Sequence, residues 1–422
     1  MNIIIGKAII SALCSILILM MWYFRGLLKK RIANYSMLSV FGMGVLLFRV
    51  IPYLIIFFFL SLPVPSDISY YWRDSIPVFD GKLVYRDFFC PYAPFFPYII
   101  ALAIKFWYSP KAISLLMMVC EVGILFFTVK QFKPFYKKEE LLYRLLIYLV
   151  MPASLVLSAL SGQEDIWMWF FAVLAYRFSH SKNAAFKMGL IMGIGHLFTK
   201  AVLVLGTISI FFFIRKRISF LLGLVIVGLP TLVVLYALTG LEFLQPIQES
   251  NTLRSPNIGS VLNPFFFNNL HLGEKWLNWL GLTIIIAISG ITSLYSPQKN
   301  LLKPFALIWI ITYGSMMIVQ QSAYSNYIFI FLMPLVFTLL DTEKLSELLI
   351  LLLFNVATVI QPSIWWRYNM PQYKKPADIF ARPEFIIDYT MQVVIVGCVV
   401  YYIYSSFQFL KKTSKTLSPE IQ

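Results

Sequence analysis

The feature that most constrains this chain is a succession of about thirteen apolar runs, near 3–24, 36–62, 111–130, 145–160, 166–179, 185–198, 200–214, 218–239, 278–296, 304–320, 326–340, 345–361 and 386–408. A bilayer crossing takes about 20 mostly apolar residues, so repeated runs of this kind exclude a water-soluble enzyme, a coiled coil and a disordered chain together. Composition agrees: 59% of the 422 residues are hydrophobic and 13% are charged, where a soluble domain would be nearer half and a quarter. The expected fold is an all-α polytopic membrane protein, a single transmembrane domain over 1–422 with external loops at 63–110, 240–277 and 362–385. The first run is longer than a signal-peptide core and no small-residue cleavage pattern precedes Arg25, so it is read as a retained helix.

The stretch Tyr92–Tyr108 is also apolar, but it carries Pro94, Pro97 and Lys105 and is short for a crossing. It is read as a helix lying in the outer interface. Alternate loops on one side, with the tail from Lys411, then hold 21 of the 35 basic residues, and 13 of the 19 acids fall elsewhere. By the positive-inside rule that basic side is cytoplasmic. The net charge of +16 is thus a statement about topology, and no nucleic-acid partner is implied. Cys14, Cys90, Cys120 and Cys398 are scattered, and His180, His196 and His271 share no spacing with them that suggests zinc.

Polar residues concentrate on the external face, where ionisable groups at membrane depth are costly and mark function. Asp67 stands where a span ends among aromatic residues, a place where desolvation makes a carboxylate a usable general base. Asp74, Asp80 and Asp87 follow in the same loop, the last two as rim acids. Three further clusters are Ser161-Gly162-Gln163-Glu164-Asp165, Gly195-His196-Leu197-Phe198-Thr199-Lys200, and Asn251 to Ser260 with Arg254 at its centre. Lys200 either snorkels to the interface or meets an anion, and an arginine takes a phosphate bidentately. One carboxylate and two separated cations on one face suggest a hydroxyl nucleophile and a phosphate leaving group.

At these residues the chain resembles the GT-C superfamily of polytopic glycosyltransferases, and within it the catalytic mannosyltransferases of GPI-anchor synthesis and related bacterial enzymes that use polyprenyl-phosphate sugars. Those families place an acid-containing motif ending in Tyr after a span, then Gly-x-x-x-Tyr, then Tyr-x-Pro. Asp67-Ile68-Ser69-Tyr70, Gly81 to Tyr85 and Tyr92-Ala93-Pro94 follow that order, with Ser69 in place of a second acid. Met151-Pro152 with the polar turn 161–165 is similar to an Asn-Pro and the turn after it, and 195–200 to a His-x-Lys segment with one residue inserted. Ser322 to Tyr327, followed by Met333-Pro334, resembles a Thr-Ser-Gln-Tyr stretch before a Leu-Pro, and the first span is an addition to the pattern.

The resemblance implies a GT-C-like fold with its site facing outside, in a bacterial plasma membrane, working in cell-envelope glycan synthesis. It implies inverting transfer of a hexose, mannose-like, from a polyprenyl-phosphate donor to a lipid-linked or glycan acceptor. Asp67 is the base it assigns, Lys200 and Arg254 stabilise the departing phosphate, and His196, Asn257 and Ser260 assist them. Asp74, Glu164 and Tyr70 face the acceptor sugar. No metal ligands are assigned, and a divalent cation is left open. Two rival classes are a polysaccharide polymerase, which predicts an arginine-rich outer loop where 240–277 holds only Arg254, and a glycolipid carrier or flippase, which predicts paired halves that are not seen.

Overall fold

The computed structural model describes residues 3–64, 67–267, 269–296 and 302–416, without the side chains of 249–251 and 413–416. Lys299 and the tail beyond Thr416, both counted on the basic side, lie outside the described residues.

The chain runs through α1 (Ile3–Tyr23), α2 (Arg25–Ala33), α3 (Met37–Phe59), α4 (Ile68–Phe79), α5 (Phe96–Phe106) and α6 (Pro110–Phe132). It continues with α7 (Lys138–Val150), α8 (Pro152–Leu160), α9 (Ile166–Arg177), α10 (Ala184–Phe198), α11 (Leu203–Phe213) and α12 (Arg217–Thr239). The last part holds α13 (Ile258–Leu262), α14 (Lys275–Tyr295), α15 (Leu302–Val319), α16 (Ile328–Thr338), α17 (Leu345–Arg367), α18 (Pro376–Ile379) and α19 (Pro383–Thr416). There is no β-strand among the described residues.

Eight of these helices are long and apolar enough to cross a bilayer, and α7 with α8, bent by 61° at Met151-Pro152, makes a ninth candidate. Pro152 has no amide hydrogen to continue the α7 ladder, so the bend falls where the sequence requires it. The all-α polytopic expectation therefore holds. Four of the expected crossings differ in length: α9, α10, α11 and α16 have 12, 15, 11 and 11 residues. At about 1.5 Å per residue they run roughly 16–22 Å, against a hydrocarbon core of about 30 Å. The third external loop is also shorter than its expected 362–385, because α17 extends to Arg367 and α19 starts at Pro383.

Helix association in lipid depends on close packing and internal hydrogen bonds. Gly189 of α10 lies so close to α12 that a Cβ there would stand 2.0 Å from the Phe220 carbonyl oxygen. Ser209, Ser289 and Thr312 form a buried hydroxyl triangle with sides of 2.6–2.8 Å that ties α11, α14 and α15. Arg49 and Glu121 are fully buried and paired at 2.8 Å, and Arg49 also donates to the Leu149 carbonyl at 2.8 Å. That pair joins α3 and α6 to the end of α7, immediately before the bend. Removing either partner would leave a buried charge uncompensated, at a cost of about 3–5 kcal/mol.

The sidedness of the helices is open to a direct test. Ser260 is buried and hydrogen-bonded, so exposed Glu274 is the better probe of its loop, alongside exposed Ser69 and, on the basic side, exposed Lys182. Ser69→Cys and Glu274→Cys should react with an impermeant thiol reagent added to intact cells, and Lys182→Cys only after permeabilisation. Native Cys14, Cys90 and Cys398 are buried and should give a low background. Labelling of Lys182→Cys alone in intact cells would invert the topology.

Candidate active site

The short helices place the polar turns. α9, α10 and α11 carry Arg177, Lys187 and, just after α11, Arg215 at one end, which the membrane surface holds. Their other ends, bearing the turns 161–165 and 199–202, then fall about 8–14 Å short of the opposite surface. The turn before α16 joins them. The result is a polar recess walled by helix ends, and Asp67 lies over it at the start of α4.

Gly162 sits directly under that start: its φ is +62°, and a Cβ would be 2.7 Å from the Ile68 side chain. Only glycine combines that conformation with that approach. The contact brings the 161–165 turn to α4, and the Gln163 amide donates to Asp67 Oδ2 at 2.9 Å. The next helical residues take part too. Tyr71 donates its hydroxyl to the Glu164 carboxylate and packs edge-on against Tyr92 and Phe96, each at 5.1 Å between ring centroids. Tyr92, in the external loop, is held well above the usual tyrosine range by burial, with the charges of Asp67 and Glu164 adding to it.

Lys200 crosses the recess to the same turn. Its ammonium lies 2.8 Å from Asp165 Oδ1 and 3.0 Å from Glu164 Oε1, and 5.4 Å from the centre of the Tyr327 ring. Burial opposes the ammonium, but Asp165 and Glu164 outweigh it and keep it protonated. Burial likewise pushes the Asp165 carboxyl up, to about 7, against the pull of Lys200. The Arg254 guanidinium stands 5.6 Å over the Tyr324 ring. Tyr324 is within electrostatic reach of both Asp67 and Arg254, and Tyr327 of both Lys200 and Arg254, so the two tyrosines lie between the acid and the cations.

The remaining expected residues are distributed around this centre. Asp74 is buried two turns along α4 from Asp67; burial raises its carboxyl, Arg73 at 2.7 Å opposes, and Oδ2 has no partner among the described residues. Tyr70 is exposed and faces Arg73 at 5.1 Å, so its neighbour Tyr71 is the tyrosine that enters the recess. His196 meets the Thr207 hydroxyl at 3.0 Å on the wall of a separate apolar cavity. Asn257 and Ser260 cap α13 reciprocally, and the Asn257 amide donates to the Arg254 carbonyl at 2.7 Å, so both act on the loop that carries Arg254. Asp80, exposed at the end of α4, is the solvated rim acid the spacing suggested.

Two participants were not read from the sequence. Gln163 was one letter in a polar turn, and Lys7 was a lone lysine in a first span that looked additional. The Lys7 ammonium is within electrostatic reach of Asp67. A single cation inside an apolar run was the signal for it.

No three His, Cys, Asp or Glu side chains converge as a metal site among the described residues. Glu164 and Asp165 already share Lys200, so the residues present do not form a cage for a divalent cation.

Beside Lys200 the protein opens an apolar cavity of about 550 Å³. His196, Thr199 and Ala201 mark its polar end, and Leu224, Leu232 and Leu235 of α12 line its length. A second cavity of about 320 Å³ shares Pro94, Thr231 and Leu235 with it and extends along α12. Several buried polar atoms around the recess have no partner among the described residues, including Ser161 Oγ, Asp165 Oδ2 and Asp74 Oδ2. Buried acceptors left this way call for a ligand or water. No protein-family model matches the chain, and no curated protein is significantly similar to it.

Proposed function

We propose that this protein is an integral-membrane, inverting glycosyltransferase that moves a hexose, mannose-like, from a polyprenyl-phosphate donor to a lipid-linked glycan or glycolipid on the external face of a bacterial plasma membrane. The observation that carries the reading is the placement of a half-buried carboxylate, Asp67, across two tyrosines from Lys200 and Arg254, with a long apolar cavity starting one residue from Lys200. An amphiphile with an anionic head and a hydrocarbon chain suits that combination.

In this mechanism the acceptor hydroxyl attacks the anomeric carbon as Asp67 takes its proton. The new C–O bond forms on the face opposite the breaking bond to phosphate, so configuration inverts through an oxocarbenium-like transition state. Gln163 engages Oδ2 and turns Oδ1 toward the acceptor. The phosphate leaves as an anion, and Lys200 with Arg254 stabilises the charge that gathers on it. Sugar hydroxyls would satisfy the unpartnered oxygens of Ser161, Asp165 and Asp74. The polyprenyl chain would lie in the cavity along α12.

The test is transfer by purified protein given defined polyprenyl-phosphate sugars and glycolipid acceptors. Turnover with inversion supports the reading, and its absence across the donor panel would refute it. The cavity makes a separate prediction. Gly228 lines it and has open space where a Cβ would stand, so Gly228→Phe should fill the cavity without a clash. The KM for a long-chain donor should rise about tenfold, the equivalent of roughly 60 Å² of lost apolar burial at ~25 cal/mol/Å². A donor with two isoprene units should be unaffected; an equal loss for both would place the chain elsewhere.

A further inference from the structure

Asp388 is fully buried in the first turns of α19 and takes no part in the chemistry above. Its carboxylate accepts three hydrogen bonds: Gln361 Nε2 to Oδ1 at 3.0 Å, and Gln392 Nε2 and the Tyr373 hydroxyl to Oδ2 at 2.6 and 2.9 Å. An ionised carboxylate only accepts, so both glutamines must present their NH2 groups to it. Their carbonyl oxygens are thereby turned the other way. Gln361 Oε1 receives the Ser325 hydroxyl at 2.7 Å, and Gln392 Oε1 receives the Ser260 hydroxyl at 3.0 Å.

Each arm ends on a segment of the recess. Ser325 lies between Tyr324 and Tyr327, the two rings that separate Asp67 from the cations. Ser260 closes the capping box with Asn257, whose amide holds the Arg254 carbonyl, and the Arg254 amide in turn donates to the Gln321 carbonyl at 2.9 Å. One acid on α19 thus sets the orientation of two amides, and through them the two segments that carry Tyr324, Tyr327 and Arg254.

We propose that Asp388 is a positioning residue that acts through Gln392 and Ser260 to hold Arg254, and through Gln361 and Ser325 to hold the paired tyrosines, in the geometry that receives the donor phosphate. The phosphate role rests on the glycosyltransferase reading; the two-armed hydrogen-bond hub does not.

The two arms leave from different oxygens, which makes the test specific. Asp388→Asn keeps an acceptor at Oδ1 for Gln361 and puts an NH2 group at Oδ2, where it meets the NH2 of Gln392. The Ser260 arm breaks and the Ser325 arm stays. Gln392→Glu added to Asp388→Asn reverses the polarity of that contact: the new amide donates to the new carboxylate, which still accepts from Ser260. Net charge is unchanged.

The expected result for Asp388→Asn is a donor KM raised about tenfold with a smaller change in kcat, and faster hydrogen exchange in 252–260 but not in 320–327. The double variant should return KM to within a few-fold of wild type and restore the exchange pattern. On an Arg254→Met background, Asp388→Asn should raise KM no further. Exchange in 252–260 unchanged by Asp388→Asn, or a double variant no better than the single one, would overturn the proposal. If Asp388→Asn does not fold, a folded double variant with wild-type exchange supports the hub, and an equally unfolded one refutes it. If wild-type protein turns over no donor, the transferase reading fails while the exchange measurements still decide the hub.

Discussion

Asp67→Asn is expected to fold, insert and bind donor, and to lose about a hundred- to ten-thousand-fold in transfer, the usual worth of a general base. The substitution keeps an oxygen for the Gln163 amide, which now contacts Asp67 Oδ2 at 2.9 Å. What it removes is the lone pair that receives the acceptor proton, because an amide nitrogen cannot take it. Two neighbours serve as controls. Asp80→Asn changes an exposed acid at the far end of α4 and should stay within a few-fold of wild type. Asp74→Asn changes a buried acid held by Arg73, and its loss should fall on acceptor KM. The measurement is transfer of labelled sugar by detergent-purified variants matched for monodispersity. Near-normal turnover by Asp67→Asn would remove the assignment, and an inactive Asp74→Asn beside it would move the base two turns along α4.

Hydropathy located helices because bilayer crossings need long apolar runs, and every expected run falls on helix. It could not tell that α9 and α11 stop short of a full crossing, since a short helix beside a polar turn and a full span with a frayed end have much the same composition. That difference matters most here, as it sinks Glu164, Asp165 and Lys200 below the surface. Residue types were legible and their partners were not. Lys200 was read as a free cation facing an anion, whereas it meets two carboxylates 35 and 36 residues earlier, a contact made by the packing of α9 against α10 and α11. Asn257 and Ser260 looked like phosphate donors because both are donors next to an arginine. Local hydrogen bonding claims them for the cap of α13 instead. Asp388 carries no local pattern, and its meaning lies in two glutamines and two serines that the fold brings together.

The pairing of Lys200 gives its removal two separable consequences. Lys200→Met leaves Glu164 and Asp165 buried side by side without their cation, so stability should fall by about 3–5 kcal/mol, read as a lower Tm in detergent. Donor binding should also weaken roughly ten- to a hundred-fold, the worth of a charge-assisted hydrogen bond. Asp165→Asn added to Lys200→Met removes one of the stranded carboxylates, while Glu164 keeps the Tyr71 hydroxyl. That double variant should recover most of the Tm and none of the donor affinity. The pH dependence follows from burial, which already lifts Asp165 to about 7 against the pull of Lys200. Without the lysine it rises further. A carboxyl whose folded pKa lies above its unfolded value favours the fold at low pH and loses that contribution as pH rises through the folded value. The Tm deficit of Lys200→Met should therefore be smallest near pH 5–6 and widen above about pH 7, and Asp165→Asn should flatten it. A Lys200→Met variant as stable as wild type at pH 8 would mean that the ammonium does not compensate the two acids. A double variant with wild-type donor KM would take the phosphate away from Lys200 and leave it to Arg254.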